Sequence, residues 1–295
     1  MTAPRQILPG AVYLVTRRCS ERRLFLRPSA QTNGIFLYVL ALAARTHGVR
    51  VHAFCVLSNH YHLVVTDPEA RLPAFMQYLD GLVARAVNAS LGRWEGFWSA
   101  DASYSAVSQA DSGDVVRKIA YTLANPASAG LVRHGRDWPG LWSAPELLGT
   151  ATLTAARPEV FFSATMPGTA TLDLSLPAGF ASVEEFQRLV GSALEELEVK
   201  ARAEAPARGF LGRRRVLAEQ PLSRPAAGAP RRTLNPRIAA QDKWKRIEAI
   251  GRLRTFLEAY RSALVELRSG VRDALFPAGT YHLRVEHDVR CAVPA

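Results

Sequence analysis

Val51-His52-Ala53-Phe54-Cys55-Val56-Leu57-Ser58-Asn59-His60-Tyr61-His62-Leu63-Val64-Val65-Thr66 reads as two runs rich in β-branched and aromatic residues, parted by a two-residue break. Strands over 49–57 and 60–66 joined by a tight turn at Ser58-Asn59 make a β-hairpin. Working outward, Ser29 to His47 carries Ile35, Phe36, Val39, Leu40 and Ala43 at helical spacing and stops at Gly48. Ala11 to Thr16 is a short strand entered through Pro9-Gly10. A second long helix runs from Pro73 to Leu91, closed by Gly92, and a loop with Trp94, Phe97 and Trp98 follows. A third helix from Ser112 to Leu123 is expected to end at Asn125-Pro126. A hairpin among helices implies an α+β layout of the ferredoxin-like (RRM-like) kind, an antiparallel sheet with helices packed on it. This unit is expected to span 1–148.

Of the 295 residues, 48% are apolar, enough for a sizeable core. The formal net charge is +11, and it is concentrated. From Lys200 to Arg254 there are 15 basic residues against four acidic ones, while the remainder is balanced. A basic segment of this kind favours a polyanion such as nucleic acid as partner, although a solvated basic stretch has the same composition. Cys19, Cys55 and Cys291 lie far apart, which suits a reducing compartment and argues against a disulfide framework or a cysteine zinc site. The longest apolar stretch, Ile35 to Ala44, is well short of the roughly 20 residues that span a bilayer. A cytoplasmic protein without a membrane partner is expected.

The second half divides into a helical connector over 149–205, a basic Pro/Arg-rich linker over 206–236 and a helical extension over 237–295. Glu184 to Arg202 and Asp242 to Ser269 read as its helices, and Phe276 to Tyr281 as a turn into a terminal strand. Arg213, Arg214 and Arg215, with Lys243, Lys245 and Arg246, are candidate DNA contacts. Trp244, Ile247, Ile250 and Leu253 read as the packed face of the later helix.

Chemistry concentrates on two spacings. Residues i and i+2 on a strand share a face, so His60 and His62 project together while Tyr61 points into the packing. Neutral imidazole is the commonest metal ligand, yet two histidines on a half-exposed strand need bind nothing. Tyr121 and Asn125, four apart on a helix, also share a face. A packing tyrosine and a helix-terminating asparagine are the plain alternatives, and Tyr104 is the rival nucleophile.

Asn59-His60-Tyr61-His62-Leu63 resembles the histidine–hydrophobic–histidine signature of the single-tyrosine HUH transposases, nearest to their REP-associated branch. Gly10 to Arg23 resembles that family's first strand and its following arginines, and Phe97-Trp98 its aromatic pair. Tyr121 to Val132 is similar to its tyrosine–x–x–x–Asn-Pro block. The chain departs from the pattern at Leu57-Ser58, at Tyr61 and at Ala127-Ser128. The resemblance implies the HUH endonuclease fold and a metal-dependent nuclease that cuts and rejoins single-stranded or hairpin DNA without ATP. It implies Tyr121 as the nucleophile forming a 5′-phosphotyrosine, and His60, His62 and Asn125 as ligands to a divalent metal, Mg²⁺ or Mn²⁺. Arg17, Arg18, Arg22 and Arg23 would then meet phosphates. It leaves open monomer or homodimer, and cis or trans assembly of the site. Two other readings remain: a non-catalytic DNA-binding relative, and a metallohydrolase acting on small molecules.

Overall fold

The computed structural model describes residues 4–100, 103–205, 209–225 and 236–294. The two hairpin strands are buried along nearly their whole length and lie within a sheet covered on both faces. β1 (Ala11–Arg18), β2 (Arg50–Leu57), β3 (His60–Asp67) and β4 (Ser105–Gln109) pair antiparallel in the order β2-β3-β1-β4. β7 (Ile238–Ala239) then joins β4 in parallel. With α1 (Ala30–His47) after β1 and α2 (Leu72–Ser90) after β3, this is the β-α-β-β-α-β ferredoxin-like arrangement. β4 falls in a stretch whose sequence suggests a loop. Ser-Ala-Val-Ser-Gln is short and polar, and it is held extended by pairing with β1 from Tyr13↔Ser108 to Thr16↔Ser105.

Local chemistry sets the helix starts. The Ser29 side chain accepts from Thr32 N–H to cap α1, which ends at Gly48 in the left-handed region. Both carboxylate oxygens of buried Asp67, at the end of β3, accept from the backbone of Arg71 and Leu72 and so start α2. Asp111 caps α3 (Ser112–Ser128) through Asp114 N–H.

That third helix runs through Pro126 rather than ending there. Proline lacks the N–H that would reach the Thr122 carbonyl, but in the last turn only that one bond is lost. Backbone N–H groups of Ala129, Leu131 and Val132 close the end on the carbonyls of Asn125 and Pro126.

The sheet has different company on each side. α1 and α2 cover the face bearing Tyr61, whose ring meets Phe36 of α1 edge-on at 5.1 Å. α3 packs over β2 and β3 on the other face and against α4 (Val183–Ala203). A second hairpin, β5 (Thr152–Ala156) with β6 (Thr169–Asp173), lies against α1 and continues to the outer edge of β2, where Leu174 bridges Val51. Residues 141–143 cover the rest of that edge, with Val56 N–H bonded to Leu141 O and Ser143 N–H to Phe54 O. An edge strand so covered cannot recruit another chain.

Three expectations for the second half are corrected. Part of the proposed linker, 206–208 and 226–235, lies outside the described residues, but 209–225 is folded and docked. It contains α5 (Arg213–Ala218), and Leu211 and Gly212 bond back to Gly130 and Leu131. α6 (Lys243–Arg268) buries Ala249, Phe256 and Ala263, a stripe seven residues apart, so Trp244, Ile247 and Ile250 on another side face solvent, Trp244 at 74% exposure. The end of the chain forms α7 (His282–His287) instead of a strand, tucked beside the bridge between Phe276 and Cys291. Among the described residues no helix is long and apolar enough to cross a membrane.

Candidate active site

The register of β1 against β3 decides what surrounds each histidine. Thr16 lies opposite His62, Arg17 opposite Tyr61 and Arg18 opposite His60. Side chains paired across strands share a face. Thr16 and Arg18 therefore stand with the histidines, and Arg17 stands with Tyr61 on the reverse.

On the histidine face, the two imidazole centroids are 5.0 Å apart. Thr16 Oγ1 is 2.8 Å from His62 Nδ1, and Asn59 Oδ1 is 2.6 Å from His60 Nδ1. Each ring is thus gripped at Nδ1. His62 is 5% exposed, and its Nε2 is buried with no hydrogen-bond partner. Burial, with Arg18 nearby, holds the His62 imidazole down at about 3, opposed by the Asn125 side chain. Burial, His62 and Arg18 together push His60 well below the ordinary histidine range. Both rings are neutral at physiological pH, the form that coordinates metals.

α3 brings Tyr121 over this pair. The phenol ring meets the His62 ring edge-on with centroids 5.6 Å apart, and 42% of Tyr121 is exposed. Lys118 Nζ, one turn earlier, lies 5.8 Å from the centroid of the same ring. Asn125 Nδ2 donates to the Tyr121 carbonyl at 2.8 Å, which commits the amide nitrogen to the helix and leaves the amide oxygen to the site. The rival Tyr104 is buried, with the Arg5 guanidinium 3.9 Å from its ring centroid.

The reverse face locks β3 in place. Tyr61 Oη donates to Asp80 Oδ1 at 2.6 Å, and Arg17 Nε lies 3.6 Å from Asp80 Oδ2. Burial pushes the Asp80 carboxyl up to about 7, against the Tyr61 and Arg17 contacts that favour its ionised form. Arg17 is a strut beneath the site. Arg18 and Arg22 instead line a cavity beside His60, and Arg23 donates to the Leu222 carbonyl and Glu21.

The other candidate DNA contacts lie elsewhere. Arg213, Arg214 and Arg215 are exposed on α5, and Lys243, Lys245 and Arg246 start α6, where Lys245 pairs with Asp111 at 2.8 Å. Thr16 and Asn59 were missed as imidazole partners. For Asn59 its place beside His60 was a signal, whereas Thr16 needed the strand register.

A separate group, His134 with Glu195 and Glu198 of α4, brings ligand atoms within 4.8 Å of one another. Arg202 already supplies a cation there, 3.1 Å from His134 Nδ1 and 2.7 Å from Glu195 Oε1. Glu198 also accepts from Gly135 N–H. This cluster fastens α4 to the segment after α3.

No family model matches the chain, and no curated protein does. Among solved structures, it is similar to a REP-associated tyrosine transposase bound to a REP hairpin, with a TM-score of 0.40 and 16% identity over 48% of this chain and 81% of that one. It is also similar to a Deinococcus radiodurans R1 protein provisionally described as a transposase, with a TM-score of 0.29 and 19% identity over 36% of this chain and 85% of that one.

Proposed function

We propose that this protein is a metal-dependent enzyme that nicks and rejoins single-stranded or hairpin DNA, with Tyr121 as nucleophile. The observation that carries the proposal is the exposed Tyr121 ring set against His62, beside a second neutral imidazole. The residues fit a divalent ion. His62 Nε2 is a buried nitrogen lacking a partner, and its Nδ1 is fixed by Thr16 as ligating histidines usually are. His60, His62 and the Asn125 oxygen would hold Mg²⁺ or Mn²⁺, a donor set of mixed nitrogen and oxygen. When bound, the ion polarises the phosphate and neutralises charge that develops on it.

The chain's own groups do the rest. The Tyr121 oxygen attacks the phosphorus and gives up its phenolic proton to solvent, and the bond to the 3′-oxygen breaks. The products are a 5′-phosphotyrosine and a 3′-hydroxyl that gains a proton. A 3′-hydroxyl of another strand reverses the step, so no ATP is needed. Arg18 on the same face and the exposed arginines of α5 are suited to hold phosphates.

The test is incubation of labelled hairpin oligonucleotides with Mn²⁺, followed by denaturing gel analysis. Wild type is expected to form a covalent adduct and Tyr121→Phe none. An adduct that persists in Tyr121→Phe places the nucleophile elsewhere, and DNA retention without any adduct marks a non-catalytic binding protein.

A further inference from the structure

Beside His60 lies a cavity of about 670 Å³, within the size range of small-ligand sites. The β2–β3 turn and the residues after α3, Gly130 and Leu131, form one side, and the 209–225 strap forms the other. The strap is fixed at both ends. Leu211 and Gly212 bond to Gly130 and Leu131 at 2.9 and 2.8 Å, and Leu24 N–H donates to Ser223 O at 3.0 Å. Arg27 and Arg23 reach the carbonyls of Leu217 and Leu222 at 2.6 and 2.9 Å.

The lining combines two chemistries. Leu24, Leu57, Leu131 and Val216 offer aliphatic faces, while Arg18, Arg22 and Arg224 bring guanidinium groups. A flat apolar ring on an anionic backbone, which is a nucleotide, satisfies both. Glu219, the one carboxylate of the lining, can accept from a base amino group. The volume is too small for a duplex and suits an unpaired base taken out of the stack.

We propose that this cavity holds one unpaired nucleobase flanking the phosphate presented to His60, His62 and Tyr121, so that the 209–225 strap selects a base beside the cut. This rests on the DNA-cleaving reading above. Binding of the full-length protein, without metal, to fluorescent hairpin DNA carrying short random single-stranded flanks tests it. Each flank position is replaced in turn by an abasic site.

In wild type one position is expected to weaken binding about tenfold when its base is removed. In Ser223→Trp, which puts an indole on a lining residue of the cavity, that penalty disappears, and Ser223→Ala retains it. Glu219→Trp puts an indole on another lining residue and replaces Ser223→Trp if thermal melting shows the latter to be unfolded. Tight binding with a flat abasic profile, or a penalty that survives filling, overturns the base pocket and leaves the catalytic reading standing. Absence of DNA binding by wild type overturns both.

Discussion

Replacing Thr16 with valine tests the metal reading at a residue that would touch neither metal nor DNA. Thr16 Oγ1 lies 2.8 Å from His62 Nδ1, and His62 is 5% exposed, so the ring has no water to turn to. With the proton on Nδ1, the imidazole donates to Thr16 and presents a lone pair at Nε2. The other tautomer would place an N–H at Nε2, on the side where the Asn125 side chain lies, and would leave no lone pair there for a metal. Thr16 anchors the ring at Nδ1 and so keeps Nε2 turned toward the site.

Valine keeps the shape and removes the acceptor. The expected result is a 10–100-fold loss of Mn²⁺ affinity by calorimetric titration, the usual scale for an outer partner of a ligating histidine. Denaturant melts should show a loss of about 1–3 kcal/mol, as Nδ1 is orphaned. Thr16→Ser restores the hydroxyl and should recover most of both. If Thr16→Val binds Mn²⁺ as wild type does, His62 does not coordinate through Nε2 and the proposed ligand set fails.

Other consequences concern stability. Burial raises Asp80 from 3.8 to about 7, so the folded state binds a proton that the unfolded state has released, and stability should fall as pH climbs from about 4 to about 7. Asp80→Asn should flatten that limb in urea melts taken across the range, and an unchanged slope would remove Asp80 as its source. His52, buried between the Ser175 carbonyl and the Thr66 hydroxyl, is lowered by burial from 6.5 to about 4. Its contribution is present above 6.5 and lost as pH falls toward 4, and His52→Gln should weaken this acid limb. Gly140→Ala puts a methyl group 2.9 Å from the Val56 carbonyl and against the Trp138 indole nitrogen, which donates to that carbonyl. A stability loss of about 1–3 kcal/mol is expected from the lost bond and overpacking. An unaltered melting temperature would contradict the packing at the β2 edge.

The sheet and first helices were legible because composition, turns and caps agreed: β-branched and aromatic runs flanked the Ser58-Asn59 turn, and Ser29 and Gly48 bracketed α1. β4 was illegible because Ser105 to Gln109 takes its conformation from β1, without a pattern of its own. β6 does carry an alternating signal in Thr169-Ala170-Thr171-Leu172-Asp173, with Ala170 and Leu172 buried. Pro126 misled because the rule against helical proline weakens in a last turn. In the site, facing histidines and a shared Tyr121–Asn125 face followed from spacing alone. The approach of Tyr121 to His62 depended on how α3 crosses the sheet, and the Thr16 contact on strand register. The strap at 209–225 was hidden for another reason: its order comes from backbone bonds to Gly130, Leu131 and Leu24, which its own composition does not announce.

Chain order separates the two sides of that cavity. The histidine strand and the tyrosine helix are complete by Ser128, whereas the strap begins only after 209. A ribosome adds roughly 5–20 residues per second, and earlier units generally fold first. The nascent protein therefore spends several seconds with its four antiparallel strands made and the cavity roofless. The roof closes only after the histidine strand and the tyrosine helix beneath it are already in place.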